Sequence, residues 1–147
     1  MKKRVLMVLT TLSLFVALAG VSAFAQSDMR LRANIPFEFS VGHKMLPAGE
    51  YRVWKTSEGA LAIRREDCRV SQVFIVNQAQ TGATPTESKL IFNRYGDQYF
   101  LSQIWTAGND YGYQLNKNKA ERELVRASRA LARNGSDPQI VTLIAHR

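Results

Sequence analysis

The chain has 147 residues, 20 of them Lys or Arg against 12 Asp or Glu, a net charge of +8, and 46% of its residues are hydrophobic. That is enough apolar content for a core and far too much for a disordered polyelectrolyte. Cys68 is the only cysteine, which excludes a fold held by intramolecular disulfides.

The first 25 residues read as an export leader. Lys2, Lys3 and Arg4 give a cationic start, Val5 to Ala19 is an apolar run, and Ala23-Phe24-Ala25 matches the A-x-A pattern of signal peptidase sites. The run is short for a membrane span, which takes about 20 residues, and no second one follows. Val21 stands where a lipoprotein signal would need cysteine. Cleavage after Ala25 would leave residues 26–147, the length of one ordinary domain, with 17 basic and 12 acidic residues and a net charge of +5. The expected product is an exported protein, periplasmic or secreted, with no transmembrane span once the leader is removed.

From Ile35 to Gly42, Ile35, Phe37, Phe39 and Val41 alternate with Pro36, Glu38, Ser40 and Gly42, the period of a half-buried strand. Pro36 cannot donate to a ladder, so an edge or a bulge is expected there. Leu46-Pro47-Ala48-Gly49 forms a turn into a strand from Glu50 to Lys55, with Tyr51 and Val53 facing the core. Ser57-Glu58-Gly59 turns into a strand over Ala60 to Arg65, and Glu66-Asp67 turns into another over Val70 to Asn77. Val73 to Val76 is apolar at every position, the pattern of a strand covered on both faces. Gln78 to Ser88 lacks a periodic apolar face and reads as a loop. Cys68 lies among Arg64, Arg65 and Arg69, which could activate a thiol; with no histidine nearby in sequence, an unreactive thiol at a hairpin end is the simpler reading.

The strongest signal is Lys89 to Trp105, KLIFNRYGDQYFLSQIW. Gly96-Asp97 supplies a two-residue hairpin turn between runs rich in aromatic and β-branched residues. The turn sets Arg94 opposite Tyr99 and Phe92 opposite Leu101, so Leu90, Phe92, Tyr99, Leu101 and Trp105 share a core face. Ile91, Tyr95, Phe100 and Ile104 fall on the other, a half-apolar face that calls for partial cover. Thr106 to Leu115 reads as a loop. A helix is expected from Lys119 to Arg133, capped by Asn118, with Glu121 in the capping-box position and Asn134-Gly135 as its stop. Ala120, Leu124, Ala127 and Leu131 form its apolar stripe, and Arg122, Arg126, Arg129 and Arg133 the opposite one. Gln139 to Ala145 forms a last strand.

Seven strands with one late helix leave no room for parallel βαβ units. The expected fold is mainly β: a single antiparallel β-sandwich or small β-barrel of about seven strands, with one C-terminal amphipathic helix before the last strand.

Four motifs, N-I-P-F-x-F-x-V-G (Asn34 to Gly42), L-P-A-G-E-Y (Leu46 to Tyr51), R-Y-G-x-x-Y-F-L-x-x-I-W (Arg94 to Trp105) and A-E-R-E-L (Ala120 to Leu124), resemble those of an uncharacterised family of small exported bacterial β-rich proteins. The resemblance spans most of the chain beyond the leader. It implies export and a β-rich fold, and supplies no activity, cofactor or site residue.

No H-E-x-x-H, G-x-S-x-G, C-x-x-C or phosphate-loop pattern occurs, and His43 and His146 are the only histidines. The sequence therefore points away from catalysis, metals and cofactors, and nothing in it calls for nucleic acid. Arg122, Arg126, Arg129 and Arg133 suggest contact with an anionic cell-envelope component; a solvated face is the simpler account, because Arg129 and Arg133 sit in the last turn, where the helix dipole favours cations. Trp54, Tyr111 and Tyr113, with Trp105, could form an aromatic surface, or belong to ordinary packed β structure. The leading expectation is a non-enzymatic binding or structural module contacting an anionic partner through its basic helix. The alternative is a small barrel carrying an apolar ligand.

Overall fold

A computed structural model describes residues 29–131 and 138–147. The expected leader, Arg133 and the expected helix stop at Asn134-Gly135 lie outside the described residues. Alternation of burial builds the sheet. β1 (Arg30–Ile35) buries Leu31, Ala33 and Ile35 and turns Arg30, Arg32 and Asn34 outward. Pro36, with no N–H to give, interrupts it, and the chain resumes as β2 (Phe39–Val41) and β3 (Lys44–Leu46). The expected single strand from Ile35 to Gly42 is thus two strands, although its apolar residues do reach the core.

There follow β4 (Gly49–Ser57), β5 (Ala60–Arg65), β6 (Ser71–Gln80), β7 (Ser88–Tyr95), β8 (Gln98–Trp105), β9 (Tyr111–Leu115), α1 (Lys119–Leu131) and β10 (Gln139–Ala145). The sheet runs β1-β4-β5-β6-β9-β8, antiparallel throughout, and β8 continues through β7 to β10. β2 lies parallel to β8 at Tyr99 and Phe100. The two ends of this path touch where Arg32 and His146 exchange backbone hydrogen bonds of 2.7 and 2.8 Å. One bridge is not a ladder, so the sheet coils without closing, consistent with a β-sandwich. The fold is mainly β with the helix before the last strand, as expected. Most of β1 and of β3 falls where no element is expected, with only Leu46 of β3 in the expected turn; β9 replaces part of the expected loop from Thr106 to Leu115, and β6 runs on to Gln80, into the expected loop from Gln78.

The interior is filled with side chains. Phe39 meets Tyr51 and Phe92 edge-on at 5.2 and 5.5 Å, Phe37 meets Phe92 edge-on at 5.2 Å, and Phe37 stacks on Tyr99 at 3.9 Å. Tyr51 donates its hydroxyl to the Pro47 carbonyl at 2.6 Å, so the L-P-A-G-E-Y turn is tied back by its own last residue.

The central hairpin forms as read, with Gly96 at φ +61°, Arg94 opposite Tyr99 and Phe92 opposite Leu101. Its faces change partway along. Ile91 pairs with Gln103 while Phe92 pairs with Leu101, leaving Ser102 as an extra residue in β8. A bulge of one residue flips every side chain beyond it. Ile104 therefore points into the core opposite Leu90, both fully buried, and Trp105 lies on the outer face, reversing the expected places of these two residues.

The helix covers part of the outer face, near Phe100. Asn118 caps it, accepting the Glu121 N–H at 2.8 Å, and its amide donates to Ser40 Oγ at 3.0 Å and to the Gly42 carbonyl at 2.6 Å. The Glu121 carboxylate does not turn back as a capping box would. It accepts from Asn93 Nδ2 at 2.9 Å and from the Tyr95 hydroxyl at 3.3 Å. With this carboxylate bound to the sheet, Glu121, Leu124, Val125 and Ser128 are the covered residues of the helix, whereas Ala120 and Ala127, expected in the apolar stripe, are exposed.

Burial, then the charge and hydrogen bond of Glu121, push the Tyr95 hydroxyl up to about 12. An acid whose pKa is raised by folding keeps its proton in the folded state after the unfolded chain has lost it. Its contribution to stability is complete below pH 10 and is lost as the pH rises through 12. Glu121→Gln should bring Tyr95 back toward the ordinary phenol range, read as the ultraviolet absorbance of tyrosinate after subtracting the Tyr95→Phe titration. An unchanged midpoint would show that Glu121 does not act on Tyr95.

An arginine-lined cleft as candidate functional site

The same alternation that fills the core sorts the outward residues. In β4, Tyr51 and Val53 point in, so Arg52 and Trp54 point out; in β5, Leu61 and Ile63 point in and Arg64 points out. The register then aligns them. Arg32 is opposite Arg52, and Arg52 is opposite Arg64, three guanidinium-bearing residues abreast on three adjacent strands. The next row holds Arg30, Trp54 and Ala62. Arg30, Arg32, Arg52, Trp54, Arg64 and Arg147 line an open cleft of about 380 Å³.

Like charges directly opposite one another weaken a sheet by roughly 0.2–1 kcal/mol per pair. The row is eased by one carboxylate. Glu66 accepts from Arg52 Nε at 2.5 Å, and that bond, with the charges of Arg52, Arg32 and Arg64, holds its carboxyl below the usual range against partial desolvation. The same hydrogen bond raises the Arg52 pKa further. Glu50, two residues along β4, is a further acidic residue of this face. The Arg64 guanidinium lies 5.6 Å from the centre of the Trp54 ring, a cation–π distance that holds both groups at the cleft wall. Guanidinium forks held side by side are suited to planar or tetrahedral oxyanions, which accept two N–H bonds at a time.

The residues singled out from sequence are not brought together here. Arg122, Arg126 and Arg129 are all exposed on α1. With Glu121, Leu124, Val125 and Ser128 turned to the sheet, the arginines lie on the flank of the helix, about 110° from the buried side at the usual 100° per residue. They do lie on the side of the helix opposite Ala120 and Ala127, but those alanines are exposed and do not form the face turned to the sheet. The aromatic surface does not assemble. Trp54 faces outward on β4, Tyr113 packs against the core, Tyr111 is 55% exposed at the start of β9, and Trp105 is buried on the outer face beside Gly112. Only Trp54 belongs to the arginine cleft.

Sequence reading missed Arg30, Arg32, Arg52 and Arg64 as a group. The first strand was begun at Ile35, which left R-L-R at 30–32 unassigned, and pairing across β1, β4 and β5 is needed to see the row. The available signal was basic residues at the outward positions of successive strands.

The chain matches no known protein family, curated protein or solved structure. Among the described residues no three His, Cys, Asp or Glu side chains come together in a way that could hold a metal, and no helix is long and apolar enough to cross a membrane. Cys68 is exposed at the β5–β6 turn at φ +60°, its thiol 3.6 Å from the Glu66 carbonyl.

Proposed function

We propose that this chain is an exported, non-enzymatic module of the cell envelope that binds an anionic partner, and that the outer face of β1, β4 and β5 makes the principal contact. The row Arg32, Arg52, Arg64 carries this reading. Three cations abreast with the single carboxylate of Glu66 among them leave a net positive row, and an oxyanion seated beside them lowers the remaining cost to the sheet. The helix arginines, spread along a flank, offer no comparable convergence. The leader supports export, and the excess of basic residues supports an anionic partner.

The test uses inorganic pyrophosphate as probe, titrated at low salt and followed by amide chemical shifts. Replacing Arg32, Arg52 and Arg64 by Gln should weaken binding at least roughly ten-fold, since each hydrogen bond to a charged group contributes about 1.5–3 kcal/mol before solvent screening. Replacing Arg122, Arg126 and Arg129 by Gln should change it less than about two-fold, the scale of a screened surface charge. Equal binding by the strand variant and the wild type would refute the assignment.

A further inference from the structure

The β6 run Val73-Phe74-Ile75-Val76 is apolar at every position, yet the sheet buries only half of it. Phe74 and Val76 enter the core, while Val73 is 60% and Ile75 75% exposed, so among the described residues nothing supplies the expected cover on the second face. These two side chains stand on the same outer face as the arginine row. Val73 is opposite Ala62, whose other neighbour is Trp54, and Ile75 is opposite Ala60. Crossing the sheet from β1 to β6, one meets arginines, then the half-buried indole of Trp54, then the small side chains of Ala60 and Ala62, then two bare aliphatic groups. With strands about 4.8 Å apart, this gradient from cation to hydrocarbon spans roughly 15 Å.

We infer that the anion is carried on an amphiphile, and that the outer face of β1, β4, β5 and β6 seats on an anionic phospholipid bilayer, with phosphates at Arg32, Arg52 and Arg64 and with Val73 and Ile75 entering the acyl boundary. The inference rests on the anion-binding reading above and names the source of the anion. A free oxyanion would satisfy the arginines and leave Val73 and Ile75 in water. A bilayer entered obliquely, with the β6 end of this face lowest, meets both, because its phosphate layer lies directly over hydrocarbon and amphipathic surfaces enter that boundary by about 5–10 Å. Trp54, between the two zones, has the ring type that concentrates at such an interface. Glu58, at the β4–β5 turn near the Ile75 row, is met by Lys55 at 2.6 Å and so offers the phosphates reduced repulsion.

The experiment co-sediments the full chain with vesicles of mixed phosphatidylglycerol and phosphatidylcholine at low salt, beside a pyrophosphate titration of the same proteins. Val73→Thr with Ile75→Thr keeps β-branched shape on an exposed face, and should reduce vesicle partitioning roughly ten-fold, the scale of losing two partly buried aliphatic groups, while leaving pyrophosphate affinity unchanged. Arg32→Gln with Arg52→Gln should weaken both, by about five-fold per arginine for the vesicles. Vesicles should shift the wild-type tryptophan emission to the blue, and Trp54→Phe should abolish that shift. Vesicle binding by the threonine variant equal to wild type would overturn the inference, as would pyrophosphate binding without any vesicle binding; in both cases the anion-binding reading survives. Tight binding of polyglutamate that is indifferent to the threonine changes, without partitioning to vesicles, would also overturn it in favour of an acidic polypeptide. Loss of neither ligand on removing the arginines would instead sink the anion-binding reading itself.

Discussion

Phe92→Ala should destabilise the chain by about 3–5 kcal/mol, enough to lower Tm by roughly 12–20 °C for a domain of this size. Phe92 is fully buried, meets Phe37 and Phe39 edge-on, and sits between Leu101 on β8 and Val141 on β10. It also borders the bulge at Ser102, where the regular ladder is already broken. The cost follows from two sources: lost transfer free energy of the ring, and a void that the surrounding sheet cannot collapse to fill. Since native domains are stable by only about 5–15 kcal/mol, the variant could retain little margin. Denaturant unfolding followed by circular dichroism measures it. Val73→Thr should change the unfolding free energy by less than about 0.5 kcal/mol, because its side chain is already mostly in water. A Phe92→Ala cost below about 1 kcal/mol would mean that the hairpin is not the centre of the core.

This contrast also shows what the sequence could disclose. Period-two alternation at Ile35 to Val41 and in β4 and β5, together with the Gly96-Asp97 turn, identified most of the core because burial is decided locally by which side of a strand a residue occupies. Three things could not be read that way. The Ser102 bulge reverses Ile104 and Trp105, and nothing in S-Q-I-W announces an extra residue in a ladder. The covered face of α1 includes the polar Glu121, bound to Asn93, 28 residues away in sequence, and to Tyr95, so counting apolar residues alone picks the wrong stripe. The arginine row depends on the registers of β1 with β4 and β4 with β5, which are long-range facts. The same holds for β6: a run apolar at every position fits a strand covered on both faces, and only the fold decides that Val73 and Ile75 stand exposed.

Gly112→Val should cost about 3 kcal/mol, the upper part of the range for overpacking, although β-propensity alone would favour valine at a strand position. A Cβ at residue 112 would lie 2.5 and 2.6 Å from the Trp105 ring atoms Cε3 and Cδ2, and 2.7 Å from the Ile104 carbonyl oxygen. Neither neighbour can readily withdraw. The Trp105 indole N–H is held by Gln103 Oε1 at 2.9 Å, and the Ile104 carbonyl belongs to the strand that pairs with β9 through Ile104 and Tyr113. The glycine that made 106–115 look like a loop is therefore what allows β9 to lie under the tryptophan. A double-mutant cycle separates the two contacts. Placing Gly112→Ala in a Trp105→Leu background should recover part of its cost and not all of it, since the contact with the Ile104 carbonyl remains. Full additivity of the two changes would place the tryptophan elsewhere and would remove the outer-face position that the Ser102 bulge assigns to it.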